Sequence, residues 1–232
     1  MASSGPPPGL KLRQSSIGKG AGMGLSIHYR GRLDNADLLP TLRDELIDIA
    51  SRLGWQYGVL DEDWHVPASV ILTHSGKICE IKGHLGLKGI LLKPKGQSEP
   101  LYLFFDSEGN LRSPMNMVLI QAGMLTIEDA WISVKTQFLS AQTHVLIIGL
   151  LREMKRRYLS NLEVMDEGEY WETENYRILE EKMRLINEKL DYLSSELSSE
   201  HFGEALGLSA DEVAAGIERL FHSDKPKRRY IN

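Results

Sequence analysis

Two apolar periods meet within residues 25–54, and together they restrict the fold more than any other feature of the chain. Leu25, Ile27 and Tyr29 alternate with Ser26, His28 and Arg30, the period of a half-buried strand that Gly31 ends. Leu38, Leu42, Leu46, Ile49 and Leu53 then recur at steps of three and four, the stripe of an amphipathic helix. Asn35 or Asp37 can cap that helix, Pro40 fits its first turn, and Gly54 supplies its stop. Such a chain must pair a sheet with helices.

The middle of the chain extends the sheet. Val66–Thr73 and Lys77–Ile81 flank His74-Ser75-Gly76 and read as a hairpin. Gly89–Lys93 and Leu101–Phe105 flank Pro94–Pro100 as a looser one, and Asp106–Asn110 is turn chemistry. Trp131–Phe138 is a further strand. Ser140 or Thr143 starts a helix through Tyr158 that buries Val145, Ile148, Leu151 and Met154. Strand–helix, several strands, then strand–helix predict an α+β fold: a mostly antiparallel sheet with two helices on one face, with the ferredoxin-like topology as its nearest named relative.

Four segments are expected. Residues 1–22 hold Ser, Gly, the Pro6–Pro8 run and Lys11, Arg13 and Lys19 with no acid, and predict a flexible leader with no signal-peptide core. Residues 23–173 form the α+β domain. Residues 174–198 predict a long helix, and residues 199–232 a helical tail with a basic end. Within the long helix Tyr176, Leu179, Met183, Ile186, Leu190, Leu193 and Leu197 step by three and four. That is a heptad seam. It fits packing on the helix's own sheet or a homodimer through residues 176–197.

Composition bounds the class. A chain of 232 residues with 42% hydrophobic and 25% charged residues is globular. The lone Cys79 cannot close an intramolecular disulfide, so core burial must hold the fold. The longest uncharged apolar run, Val145–Leu151, is far short of the roughly 18 residues a membrane span needs. These features predict a soluble, cytoplasmic protein. The net charge of −5 is unevenly spread, because the leader is basic and the acids peak at residues 163–174.

Chemistry is expected in two places. Asn161–Tyr176, NLEVMDEGEYWETENY, carries Glu163, Asp166, Glu167, Glu169, Glu172 and Glu174 and no base. Read as a loop, it would dock through Tyr170 and Trp171, and its crowded carboxylates would raise one another's pKa or recruit a hard divalent cation. The other place is the strand-to-helix junction at 133–144. Strand alternation there puts Lys135 and Gln137 on one face, with Val134, Thr136 and Phe138 on the other. His144 falls in the first helical turn, where the helix dipole favours a neutral imidazole able to take a proton or a metal. An enzyme reading joins these as catalytic His144, Lys135 and Gln137, with His144, Glu163, Asp166 and Glu167 as metal ligands. The alternative for each segment is structural: an acidic surface loop, and a histidine that packs at a helix start.

The run WISVKTQF, then His144, Leu150-Leu151 and NLEVMDEGEYWET resemble an uncharacterised family of bacterial proteins. The resemblance extends more weakly to SIHYRG and its helix, covering roughly residues 24–175. It implies no reaction.

Other signals are thinner. HExxH, GxxxxGK[ST], GxSxG and CxxC are absent. Gly18, Gly20, Gly22 and Gly24 follow no strand, and His65, His74 and His84 are irregularly spaced. In the tail, EALGLSADEVAAGIERL resembles half of a helix-turn-helix, with a Ser209–Glu212 capping box and Lys225, Lys227, Arg228 and Arg229 beyond it. Asp211, Glu212 and Glu218 on its reading helix oppose nucleic-acid binding. The third class is a non-catalytic interaction protein that dimerises through the seam and holds a protein partner with Tyr170 and Trp171.

Overall fold

The computed structural model of the chain describes residues 25–75, 78–96 and 98–198. The leader and the helix-turn-helix-like tail lie outside the described residues. So do the side chains of Leu193 and Leu197 at the end of the seam. The chain divides into two compact units, one ending at Met183 and the other beginning at Arg184.

In the first unit, β1 (Ser26–Arg30) is followed by a 3-10 turn at Ala36–Leu38 and by α1 (Leu39–Leu53). Asn35 accepts the Asp37 N–H at the start, and Gly54 closes the helix at φ 63°. That left-handed conformation is one glycine adopts without steric cost. Leu39, Leu42, Leu46 and Ala50 are its buried stripe. Five strands follow: β2 (Gln56–Asp61), β3 (Ser69–Ser75), β4 (Ile78–His84), β5 (Lys88–Lys93) and β6 (Leu101–Phe105). Then come β7 (Leu111–Arg112), α2 (Pro114–Gln121), β8 (Ile132–Lys135), α3 (Ala141–Arg157), β9 (Glu163–Asp166) and the single turn α4 (Tyr170–Thr173). The last element, α5 (Tyr176–Ser198), begins in the first unit and ends in the second.

The fold is α+β, and its strand pairs are antiparallel. The strands divide among three sheets, in the orders β8-β1-β9, β2-β5-β6-β7 and the hairpin β3-β4, rather than forming one sheet of ferredoxin-like order among the described residues. One core joins the two larger sheets. Ile27 and Tyr29 of β1, Leu92 of β5, Leu101, Leu103 and Phe105 of β6 and Ile132 and Val134 of β8 meet Leu42 and Leu46 of α1 and Ile147, Ile148 and Leu151 of α3. Among the described residues no helix is long and apolar enough to cross a membrane.

The site region depends on β1 being central. Its register sets Ile27 opposite Val134 on one side and opposite Asp166 on the other. The two segments singled out in the sequence, KTQF after β8 and DEGEYWE after β9, therefore leave the sheet on either side of Leu25.

Candidate functional site

Strand β8 ends at Lys135, and its alternation ends there too. The chain turns at once, with the Leu139 N–H donating to the Thr136 carbonyl. Lys135 is exposed, whereas Thr136 and Gln137 are both buried and Phe138 is 57% exposed. The expectation that Lys135 and Gln137 share a face is corrected by this turn, since period-two alternation holds only while the backbone is extended. Lys135 gives its N–H to Glu99 (3.0 Å). Gln137 and Thr136 instead hold Leu25. The Gln137 Oε1 accepts the Leu25 N–H (3.2 Å), and the Thr136 N–H and hydroxyl both donate to the Leu25 carbonyl (2.8 and 3.1 Å).

Ser140 caps α3 by accepting the Thr143 N–H (3.2 Å), which fixes the first turn and places His144 beneath it. The imidazole is wholly buried. Its Nδ1 lies 2.8 Å from the Thr136 hydroxyl and its Nε2 3.1 Å from Asp166 Oδ1. Oδ1 sits off the line of a ring N–H, so this second contact is electrostatic more than a directed hydrogen bond. Both side chains have 0% exposure.

Asp166 is the hub of the DEGEYWE turn. Its Oδ1 accepts the Gly168 N–H (2.7 Å), and its Oδ2 accepts those of Tyr170 (2.8 Å) and Trp171 (3.0 Å). Burial pushes the Asp166 carboxyl up, but the imidazole of His144 and the N–H groups of Trp171 and Gly168 outweigh it and hold the pKa below its ordinary value. Gly168 shows how tightly the turn closes on the pair. A Cβ there would lie 2.7 Å from Leu179 Cδ1, 3.0 Å from Asp166 Oδ1 and 3.1 Å from His144 Cε1.

The turn's other end belongs to Arg152. Its Nη2 donates to the carbonyls of Trp171 (2.7 Å) and Tyr170 (3.3 Å), and Nη1 reaches Glu174 (2.6 Å). The guanidinium also lies over the Trp171 and Tyr170 rings, at 5.5 and 6.0 Å. Glu169 and Glu174, the residues bounding α4, have φ of 60° and 53°. Left-handed backbone is unfavourable for glutamate, and Asp166 at the front and Arg152 at the back hold the turn in it. Tyr170 and Trp171 thus dock on the core, as expected of them, with cations stacked against their rings.

The other carboxylates do not converge on His144. Glu163 and Asp166 lie on opposite faces of β9, a consequence of strand alternation in a segment expected to be a loop. Glu163 forms a two-point pair with Arg30 (3.1 and 2.9 Å), Glu167 accepts the Ser26 N–H (2.7 Å), and Glu169 pairs with Lys182 (2.8 Å). Of the expected set, the structure joins His144 to Asp166 and directs Glu163 and Glu167 elsewhere. Among the described residues no three His, Cys, Asp or Glu side chains are grouped so as to hold a metal ion.

Thr136, Arg152 and the Leu25 backbone are members of this network that the sequence reading did not single out. For Arg152 a signal existed: His144, Ile148 and Arg152 recur at i, i+4 and i+8, one stripe of α3. A cavity of about 370 Å³ lies elsewhere, lined by Leu39, Pro40, Arg43, Asp61, Trp64 and Lys88 among others, and shares no residue with the His144 network. Comparison with protein-family models, with curated proteins and with solved structures returns no match.

Chemically, Thr136, His144 and Asp166 form a hydroxyl–imidazole–carboxylate chain. The His144 and Asp166 side chains are fully buried, and the Thr136 and Asp166 oxygens are taken up by backbone groups. What the geometry does is hold three chain segments together.

Proposed function

We propose that this is a non-catalytic interaction protein that assembles with itself along α5, with the DEGEYWE segment serving as a clasp. The observation that carries the reading is a change along the α5 seam. Leu179 and Met183 are buried in the first unit, at 0% and 6% exposure. The next residues of the same row, Ile186 and Leu190, are left partly exposed, with Leu185 beside them at 43%. An apolar row with charged flanks, here an Arg184–Glu188 pair, is the pattern of a helix that meets another helix. The sealed His144–Asp166 pair supports the non-catalytic half of the reading. Size-exclusion chromatography with light scattering tests it: Ile186→Asp/Leu190→Asp should halve the mass of the full-length assembly. An unchanged mass would remove α5 from the account.

Membership of the uncharacterised bacterial family is part of the same proposal. The strings that carry the resemblance, WISVKTQF and NLEVMDEGEYWET, supply Thr136, Gln137, Asp166, Gly168, Tyr170 and Trp171 to the clasp.

A further inference from the structure

Among the described residues strand β2 is an open sheet edge. It pairs with β5 alone, and no hydrogen bond joins its other side to a described residue. Three other strands at sheet margins are short or have an N–H already held. β7 has two residues, the Lys135 N–H of β8 is held by Glu99, and the Val70 N–H of β3 is held by Gln121 (2.7 Å). β2 is six residues, QYGVLD, with neither the proline nor the lysine that commonly blunts an edge. Tyr57 and Val59 stand opposite the buried Leu92 and Ile90 of β5, so they continue the core-facing row, yet they are 46% and 47% exposed. Apolar residues left open beside a row of unpaired backbone groups form a template for another strand.

We infer that a second copy of this chain occupies that edge, with β2 pairing antiparallel to β2 about a two-fold axis through Gly58. This register sets Tyr57 against Val59 of the other copy, and Val59 against its Tyr57. Both are aromatic–β-branched pairs on the core face. A one-residue slip would set core-facing residues against outward-facing ones. The charge pattern is complementary under the same axis. Asp61, Glu62 and Asp63 follow at one end of the strand; at the other lie exposed Lys93, opposite Gln56, and exposed Lys95, whose ammonium lies beside Gly54. Antiparallel pairing brings each acidic end to the other copy's basic end. Asp61 already meets Arg43 (3.6 Å) and Lys88 (3.1 Å), and Asp63 meets His65 (2.8 Å), so the charges chiefly set orientation.

The test uses the full chain carrying Ile186→Asp/Leu190→Asp, which separates this edge from the α5 interface. Sedimentation velocity should show a dimer. Adding Tyr57→Lys/Val59→Lys, or Tyr57→Glu/Val59→Glu, should halve the mass with unchanged circular dichroism. Mixing the lysine and glutamate variants should restore the dimer, because the register places position 57 against position 59. A monomer before any β2 substitution, a dimer indifferent to the substitutions, or a mixture that stays monomeric would each overturn the inference. A mass unaffected by Ile186→Asp/Leu190→Asp would count against α5 alone.

Discussion

Asp166 is the polar side chain around which the DEGEYWE turn closes. It receives three backbone N–H groups and faces a buried imidazole, so removing it leaves three donors unpaired and takes away the carboxylate that faces His144 Nε2. Asp166→Ala should cost about 3–5 kcal/mol in urea unfolding, the usual loss when one member of a buried pair is deleted. The pH dependence follows from the depressed pKa. The carboxylate's contribution is complete above its ordinary value of 3.8 and is lost as pH falls through the lower folded value. Asp166→Asn should therefore flatten the acid limb of the stability–pH curve, and a limb of unchanged steepness would contradict the assignment. Gly168→Ala should cost about 1–3 kcal/mol, because its Cβ meets Leu179, Asp166 and His144 at once. At this scale the sequence exposed the ingredients but not their pairing. The acids of NLEVMDEGEYWETENY have no base among them, yet Arg30, Arg152 and Lys182, distant in sequence or outside the string, come to them in space.

Elements were legible where period and punctuation agreed. α1 with its Gly54 stop, β1 and the Ser140-capped α3 stand where their patterns predicted, although Leu38 falls in the 3-10 turn at 36% exposure and Ile49, Leu53 and Val145 are only half-buried. Of the elements that were hidden, three show different reasons. The α2 sequence PMNMVLIQ is apolar on all sides and so has no helical period, and its box pairs Ser113 with Asn116 rather than with Glu or Gln. β9 lies within a run of acids that resembled loop chemistry. β2 follows the α1 stop directly and carries Gly58 in its middle, which weakens a strand signal. The α2 box offers a direct check. Ser113→Ala removes the acceptor of the Asn116 N–H at a buried helix start and should destabilise by about 1–2 kcal/mol. Loss of a few tenths or less would mean that α2 is held by packing alone.

Across the described residues, both larger sheets share one core, and the His144 and Asp166 side chains are fully buried. Among the described residues, the α5 row beyond Met183 and the β2 edge are two surfaces left partly open, and under the proposed self-association both meet another copy of the chain. Their placement at the end of a seam and the margin of a sheet was only half visible beforehand. The heptad steps marked α5, but which of its residues bury in the first unit depends on where that unit ends. Sedimentation equilibrium of the full chain across a dilution series tests the central claim most directly. Self-association predicts a mass above the 26.1 kDa of one chain that falls towards it on dilution. A single species of 26.1 kDa at every concentration would contradict it.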